Sequence, residues 1–79
     1  MRYRVLYFAS LRDAAGCDAE QVESAHADAR ALYADLRARH GIALPAERVR
    51  VAINGEFAPW DRALADGDEI AFLPPVSGG

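Results

Sequence analysis

The last six residues, Pro74-Pro75-Val76-Ser77-Gly78-Gly79, are the part of the sequence best suited to chemistry. Two prolines follow the apolar run Ile70-Ala71-Phe72-Leu73, and a proline fixes φ and donates no N–H to a sheet. We therefore predict that a strand ends at Leu73 and that residues 74–79 leave it as an extended tail. Because glycine has no Cβ, the Gly78-Gly79 end can enter a channel too narrow for other residues.

The group at the end of this tail is the carboxylate of Gly79. A carboxylate is a poor electrophile until one of its oxygens becomes a good leaving group. A separate ATP-using enzyme can achieve this by forming an acyl-adenylate, and attack by a sulfur nucleophile would then leave a nucleophilic thiocarboxylate. The tail thus predicts a covalent carrier that takes its carbonyl group into another enzyme's pocket.

The other reactive residue types do not form a second site in the sequence. His26 and His40 lie in polar or helix-terminal surroundings, where a surface histidine is the common case. Cys17 is the one cysteine, too few for an internal disulfide or an iron–sulfur cluster. No phosphate loop or dinucleotide-binding glycine pattern is present. We therefore predict no metal site and no catalytic site within the chain itself.

The composition is that of one soluble globular domain of 79 residues, 52% of them hydrophobic. No apolar run is long enough to cross a bilayer, and Val5 to Ala9 is too short for the apolar region of a signal peptide. Since no disulfide indicates an oxidising compartment, we expect the protein in the cytoplasm and away from membranes.

The net charge of −3 is unevenly distributed along the chain. Residues 1–55 carry eight arginines against seven acids, whereas residues 56–79 carry Arg62 alone against five acids. We therefore expect an acidic surface around the origin of the tail. Such a surface repels phosphates, which argues against a nucleic-acid partner, and it favours a protein partner with a basic docking surface. A solvated acidic face that only keeps the protein soluble is the alternative.

In the first half of the chain, patterning predicts a strand, a short helix and a second strand. The first strand covers Arg2 to Ala9 and becomes fully apolar towards its end, as in a buried strand. The spacing of Ser10-Leu11-Arg12-Asp13 predicts a capping box for a short helix that ends at Gly16. Residues 19–25 are a weaker strand candidate, and their polar neighbours place it at a sheet edge.

The main helix is predicted between Asp28, as its N-cap, and Gly41, at its end. Its apolar residues recur at i, i+3, i+4 and i+7, which gives one stripe for packing on a core. The stripe comprises Ala29, Leu32, Tyr33 and Leu36.

Three further strands are predicted in the second half. Residues 49–53 alternate between apolar and other side chains, and Asn54-Gly55 predicts a type I′ hairpin to the short strand Glu56-Phe57-Ala58. Trp60 and Leu64 are predicted to cover the core. The turn Asp66-Gly67 leads into the last strand, which ends at Leu73.

These elements predict an α+β domain over residues 1–73, followed by the tail of residues 74–79. The first and last strands are the most apolar, so we place them side by side at the centre of a mixed sheet. The main helix packs across one face of this sheet, and the short extra helix follows the first strand.

Two segments resemble a known family. Leu6-Tyr7-Phe8-Ala9-Ser10-Leu11-Arg12, followed by Gly16, resembles the opening of the small, sulfur-carrying subunit of molybdopterin synthase (the MoaD type). The stretch from Asp66-Gly67-Asp68-Glu69 to Gly79 is similar to the closing signature of that family, nearly residue for residue. The resemblance covers essentially the whole chain and implies a ubiquitin-like β-grasp fold.

The resemblance also implies a function and two partners. A MoeB-type, E1-like enzyme would use ATP to adenylate Gly79, which is then thiocarboxylated. The tail would enter the MoaE-type large subunit, whose lysines do the catalysis, and donate sulfur to precursor Z (cyclic pyranopterin monophosphate) in molybdopterin (molybdenum cofactor) biosynthesis. The chain would then bind no cofactor and would not be an enzyme on its own.

The resemblance assigns roles at the end of the chain. Gly79 carries the adenylate and the thiocarboxylate, and Ser77 and Gly78 thread the channel. Phe72, Pro74, Pro75 and Val76 lie where the family docks on its partners.

Other functions remain open at this stage. A sulfur carrier for thiazole or cysteine synthesis would also end in Gly-Gly. A ubiquitin-like modifier would use Gly79 to form isopeptide bonds with lysines of target proteins. An interaction domain whose tail does nothing is the simplest alternative.

Overall fold

The computed structural model describes residues 1–75 of the chain. These residues form β1 (Arg2–Tyr7), α1 (Ser10–Ala15), β2 (Ala19–Glu23), α2 (Ala29–His40), a 3₁₀ turn (Ala46–Arg48), β3 (Arg50–Ile53), β4 (Glu56–Ala58) and β5 (Glu69–Leu73). The order of strands and helices is the predicted one. Within this part of the chain, no helix has the length and apolar content needed to cross a membrane.

The five strands form one mixed sheet in the order β2-β1-β5-β3-β4. β1 and β5 are parallel, with Tyr7 beside Phe72, and every other neighbouring pair is antiparallel. The prediction that the first and last strands lie together at the centre of the sheet is confirmed, as is the edge position of β2. Because β1 and β5 are parallel, the tail leaves the sheet at the end where β1 also stops.

α2 covers one face of the sheet, and the core lies between them. The predicted stripe is buried, and the ring of Tyr33 lies 4.9 Å from that of Phe72 in β5. The Oδ1 atom of Asp28 accepts a hydrogen bond of 2.8 Å from the amide of Ala31, so this residue caps α2 as predicted. Each large side chain buried here contributes about 1.5–3 kcal/mol relative to exposure.

The predicted capping box of α1 is not formed. Ser10 is already the first helical residue, and the N-cap is Ala9, which offers no side-chain hydrogen bond. Ala9 has φ 51° and ψ −124°, a conformation that favours glycine, and this reversal also explains why β1 ends at Tyr7 and not at Ala9. The carbonyl of Phe8 accepts from the amide of Leu11 at 3.0 Å, so the backbone itself satisfies this end of the helix.

The hairpin between β3 and β4 has the predicted turn chemistry. Asn54 and Gly55 have φ 53° and 86°, the two positive values that a type I′ turn requires. The side chain of Asn54 also reaches the turn before β5. Its Nδ2 atom donates to Oδ1 of Asp68 at 2.9 Å, and its Oδ1 atom accepts from the amide of Glu69 at 3.0 Å.

Asp68 therefore joins two turns at the end of the sheet opposite the tail. Its Oδ2 atom accepts from the amide of Ala65 at 2.8 Å. This backbone hydrogen bond, and after it the bond from Asn54, lowers the pKa of the Asp68 carboxyl below its usual value. The Asp-Gly-Asp sequence thus has a structural role, which is to hold the start of β5 in register.

Replacing Asp68 with alanine is expected to destabilise the domain at neutral pH by about 1–2 kcal/mol, because a partly exposed carboxylate loses two hydrogen bonds. A depressed folded-state pKa contributes stability above the unfolded-state pKa, and this contribution is lost as the pH falls through the folded-state value. Urea unfolding between neutral and strongly acidic pH should show the two proteins converging at low pH. Asp61→Ala, an exposed carboxylate outside these turns, is the control. An equal loss in both variants would contradict the role of Asp68.

Candidate functional site

The tail begins where the structure places the end of β5, at Leu73. Pro74 and Pro75 lie outside the sheet, Pro74 partly exposed and Pro75 exposed. Val76, Ser77, Gly78 and Gly79 lie outside the described residues, so their proposed docking, threading and covalent roles stay predictions. The structure does define the surface from which the tail departs.

Phe72 belongs to the core. Its side chain has no exposed area. It stacks on Trp60, with ring centroids 5.9 Å apart, and also contacts Tyr33 and Tyr7. The side chain therefore offers no exposed area to a partner in this structure, and the docking role assigned to Phe72 stays a prediction. The Phe72 ring packs in the core and so holds β5 in position one residue before the strand ends at Leu73.

The face of the sheet turned away from α2 carries an apolar row. Side chains alternate along each strand, so the residues between the core positions share this face. In register, Ala19 lies beside Leu6, Leu6 beside Ala71, Ala71 beside Ala52, and Ala52 beside Phe57. This apolar row therefore crosses all five strands, and Phe57 at its end is 58% exposed. The other four residues of the row are partly exposed, so the row is a candidate contact surface.

Aromatic and basic side chains flank the apolar row at the end of the sheet where the tail begins. Phe8 is 45% exposed just beyond the end of β1. Arg50 lies opposite Leu73, and its guanidinium sits 3.9 Å from the centre of the Phe57 ring. A groove of about 320 Å³ opens between Leu6, Phe8 and the exposed Arg12. The tail thus departs beside aromatic rings and arginines.

Four of the five acidic side chains of residues 56–79 lie elsewhere, which corrects the expected acidic surface around the tail. Glu69 begins β5, and Glu56 begins β4 opposite Ile53, so both lie at the end of the sheet remote from Leu73. Asp66 and Asp68 belong to the turn at that same end. The sequence places these acids near the tail, but the length of β5 separates them from it. A basic partner surface at the tail is therefore not favoured.

A hydrogen-bonded cluster of Tyr7, Glu20 and His40 was missed from the sequence. Oε2 of Glu20 accepts from the Tyr7 hydroxyl at 2.6 Å and lies 2.7 Å from Nε2 of His40. The His40 side chain is only 18% exposed, so it is not the surface histidine expected. Glu20 lies two residues from the buried Val22 on a strand, and this period of two was the signal that it faces the core.

Burial and neighbouring groups set the pKa values in this cluster. Burial, and then the hydrogen bond to Glu20, raises the pKa of the Tyr7 phenol. Burial alone would raise the pKa of the Glu20 carboxyl, but the hydrogen bonds from Tyr7 and His40 outweigh it and the net shift is downward. The cluster therefore joins β1, β2 and α2 through an ionised carboxylate.

Two further features carry no site. Within residues 1–75, no three His, Cys, Asp or Glu side chains are grouped closely enough to hold a metal ion. A groove of about 650 Å³ lies between α2 and the following loop, beside Arg37. The guanidinium of Arg37 donates to the carbonyls of Ala43 and Leu44, at 3.0 and 3.1 Å, so it fastens this loop to the helix.

Comparison with known proteins places this architecture in a family. The model of the ThiS family matches residues 5–79. This chain belongs to the ThiS family. The match includes both segments on which the resemblance rested, Leu6 to Gly16 and Asp66 to Gly79.

Two curated relatives of this ThiS-family chain are molybdopterin synthase sulfur carrier subunits. That of Haemophilus influenzae is 42% identical over 78 residues, which cover 95% of this chain and 96% of the relative. That of Escherichia coli is 38% identical over 79 residues, which cover 96% of this chain and 98% of the relative. The resemblance to the sulfur-carrying subunit is therefore confirmed.

Solved structures share the fold of this ThiS-family chain. SAMP1 of Haloferax volcanii superposes with a TM-score of 0.80 at 29% identity, over 100% of both chains. A chain of the complex of subunits 1 and 2 of molybdopterin-converting factor from Helicobacter pylori superposes with a TM-score of 0.70 at 26% identity, again over 100% of both. The predicted ubiquitin-like β-grasp fold is confirmed.

Proposed function

We propose that this chain is the sulfur-carrying small subunit of a molybdopterin synthase. The sulfur is carried on the C-terminal carbonyl of Gly79. The observation that carries the proposal is the path of β5, which ends at Leu73 beside the partly exposed apolar row and directly before the sequence Pro74 to Gly79. The two sulfur carrier subunits, similar over almost the full chain, support it.

The chemistry begins at the Gly79 carboxylate. One oxygen attacks the α-phosphate of ATP within a MoeB-type enzyme, pyrophosphate leaves, and an acyl-adenylate forms. Hydrosulfide, supplied by the sulfur source, then attacks the carbonyl carbon, AMP leaves with the bonding electrons, and loss of the S–H proton gives the thiocarboxylate. In the synthase, this sulfur forms a bond to a carbon of precursor Z, and water cleaves the carbon–sulfur bond to Gly79 and restores the carboxylate.

The apolar row is the proposed docking surface for the MoaE-type large subunit. A flat apolar surface beside the tail allows a partner to bind the domain and receive the tail in one step. The H. pylori complex, whose two subunits include a chain of this fold, supports such a partner. Arg50 and Arg12 flank the row on the tail side, so we expect acidic groups opposite them on the partner.

On this proposal the chain is not an enzyme by itself, because the catalytic lysines belong to the large subunit. It binds no cofactor of its own, and ATP is consumed by the activating enzyme. Activation therefore requires a compartment that supplies ATP, which favours the cytoplasm.

The proposal is tested by mass spectrometry after incubation with the activating enzyme, ATP and a sulfur source. Trypsin cleaves last at Arg62 and releases residues 63–79, which contain neither cysteine nor methionine. Exchange of one oxygen for sulfur on this peptide therefore cannot be confused with oxidation of Cys17 or Met1. The expected result is this exchange at Gly79. An unmodified peptide, beside a known carrier converted in parallel, would refute the proposal.

A ubiquitin-like modifier is the second candidate, because SAMP1, a small archaeal modifier protein, matches the whole fold. Such a modifier would pass the same activated Gly79 to lysines of other proteins. A ladder of isopeptide conjugates in cells would indicate this function. Co-purification of a thiazole or cysteine synthase in place of the large subunit would instead indicate another sulfur pathway.

A further inference from the structure

The 79-residue sequence contains nine arginines and no lysine. The two residues differ chemically. A lysine amine with a pKa near 10.4 has a small deprotonated fraction that attacks activated carbonyls, whereas the arginine guanidinium stays protonated at any physiological pH. The surface of this chain is therefore positively charged in places without offering a side-chain amine.

We propose that the chain is built to carry an activated carbonyl on Gly79 without capturing it, because no competent nucleophile of its own lies within reach of the tail. This inference rests on the proposed function, since it concerns the same activated carbonyl. It implies that the acceptor is always supplied by another molecule: a sulfur nucleophile, a substrate or a partner's amine.

The amino group of Met1 is the one primary amine in the sequence, and it lies at the wrong end of the sheet. It donates to the carbonyl of Ser24 at 2.9 Å. Arg4 in β1 lies beside Glu69 in β5, so Met1 is about seven residues, or about 23 Å, from the level of Leu73. Six extended tail residues span at most about 20–22 Å, and reversing direction uses some of them, so the tail falls short.

The nucleophiles nearer the tail are partly or fully buried, or are weak without a neighbouring base. Cys17 precedes β2 by two residues and is packed partly against the core. Burial, followed by the carboxylates of Glu20 and Asp18, raises the pKa of its thiol, which lowers the fraction of reactive thiolate at a given pH. The hydroxyl of Tyr7 is buried and donates to Glu20. Serine hydroxyls are weak nucleophiles without an adjacent base.

Arginine supplies the positive charge at the tail. Arg50 lies directly opposite Leu73 across the β3–β5 pair, and Arg12 is exposed beside the groove next to Phe8. A lysine at position 50 would place an amine within the length of the tail. Its nitrogen would attack the Gly79 carbonyl carbon, the leaving group would depart with the bonding electrons, and the amine would lose a proton. The product is an amide that can no longer carry sulfur.

The test uses the full chain with Gly79 converted to a mercaptoethanesulfonate thioester, prepared without any activating enzyme. Its result is therefore independent of how, or whether, the protein is activated in the cell. Wild type, Arg50→Lys and Arg2→Lys are incubated at about pH 8, where a lysine amine is slightly deprotonated. Arg2→Lys is the matched control, because Arg2 is exposed and begins β1 at the end of the sheet remote from the tail.

Intact mass spectrometry separates the products. Hydrolysis gives the free acid, internal capture gives a species lighter by one water, and capture between molecules gives a dimer. Wild type is expected to give the acid alone. Arg50→Lys is expected to give at least about ten-fold more internal amide than Arg2→Lys. Proteolysis would map the amide to residues 50 and 79.

Each other outcome overturns the inference. An internal product in wild type, through Met1 or Cys17, would mean that the chain does capture its own carbonyl. Absence of the amide in Arg50→Lys would mean that the missing amine is not what prevents capture. Equal capture in Arg2→Lys would mean that distance along the sheet gives no protection.

Discussion

Deletion of Gly79 is expected to abolish sulfur transfer and to leave the domain folded, because it removes the reacting carbonyl and no residue of the core. Changes outside the core usually alter the free energy of unfolding by less than about 0.5 kcal/mol. The melting temperature should therefore move by less than about 3 °C. Thiocarboxylate formation on the tryptic tail peptide and thermal unfolding measure the two effects on the same sample.

Two tail variants sharpen this prediction. Gly78→Trp keeps the carboxylate but adds a large side chain, so it should sharply slow activation or transfer if the tail threads a narrow channel. Ser77→Ala removes one oxygen and fits any channel that accepts serine, so it should remain active. Normal cofactor synthesis by Gly78→Trp would disprove the channel. A large loss of stability on deleting Gly79 would mean that the tail is part of the packed structure.

Ala71→Arg is expected to weaken binding to the large subunit by at least about 100-fold, equivalent to about 2.7 kcal/mol. Ala71 is the centre of the apolar row, between Leu6 and Ala52, and a long charged side chain there prevents close contact. Titration calorimetry with the large subunit measures the affinity. The side chain points away from the core, so the melting temperature should change little.

Gln21→Arg is the control for this surface, because Gln21 is exposed on edge strand β2 beside Arg4 and outside the row. It adds the same charge and should leave the affinity within a few-fold of wild type. Equal affinity of both variants would place the docking surface elsewhere. Equal loss in both would point to net charge and not to the apolar row.

Local sequence signals predicted the elements well. The cap at Asp28, the positive φ values at Asn54-Gly55 and the end of β5 at the prolines each depend on a few adjacent residues. The capping box at Ser10 failed because Ser10 is already the first helical residue, and the N-cap lies one residue earlier, at Ala9. Such boundaries depend on how the chain enters the helix, which the motif does not contain.

The site was harder to predict because it depends on the register between distant strands. The apolar row exists only once Leu6, Ala71 and Ala52 are aligned. The acidic residues were misplaced for the same reason, since closeness in sequence to the tail was taken for closeness in space. The burial of Phe72 could be predicted from the strand period, because it shares a face with Ile70, which has no exposed area.

The central position of β5 has a consequence for how the protein is made. β5 pairs on both sides, with β1 and with β3, although it comes last among the described strands. The β1–β5 pairing joins Arg4 to Glu69, so the sheet closes over nearly the whole length of the chain. A shortened or incompletely folded chain therefore lacks the middle of its sheet. Pairing of β5 both completes the sheet and positions the start of the tail. Partners that recognise the sheet therefore bind only fully folded chains.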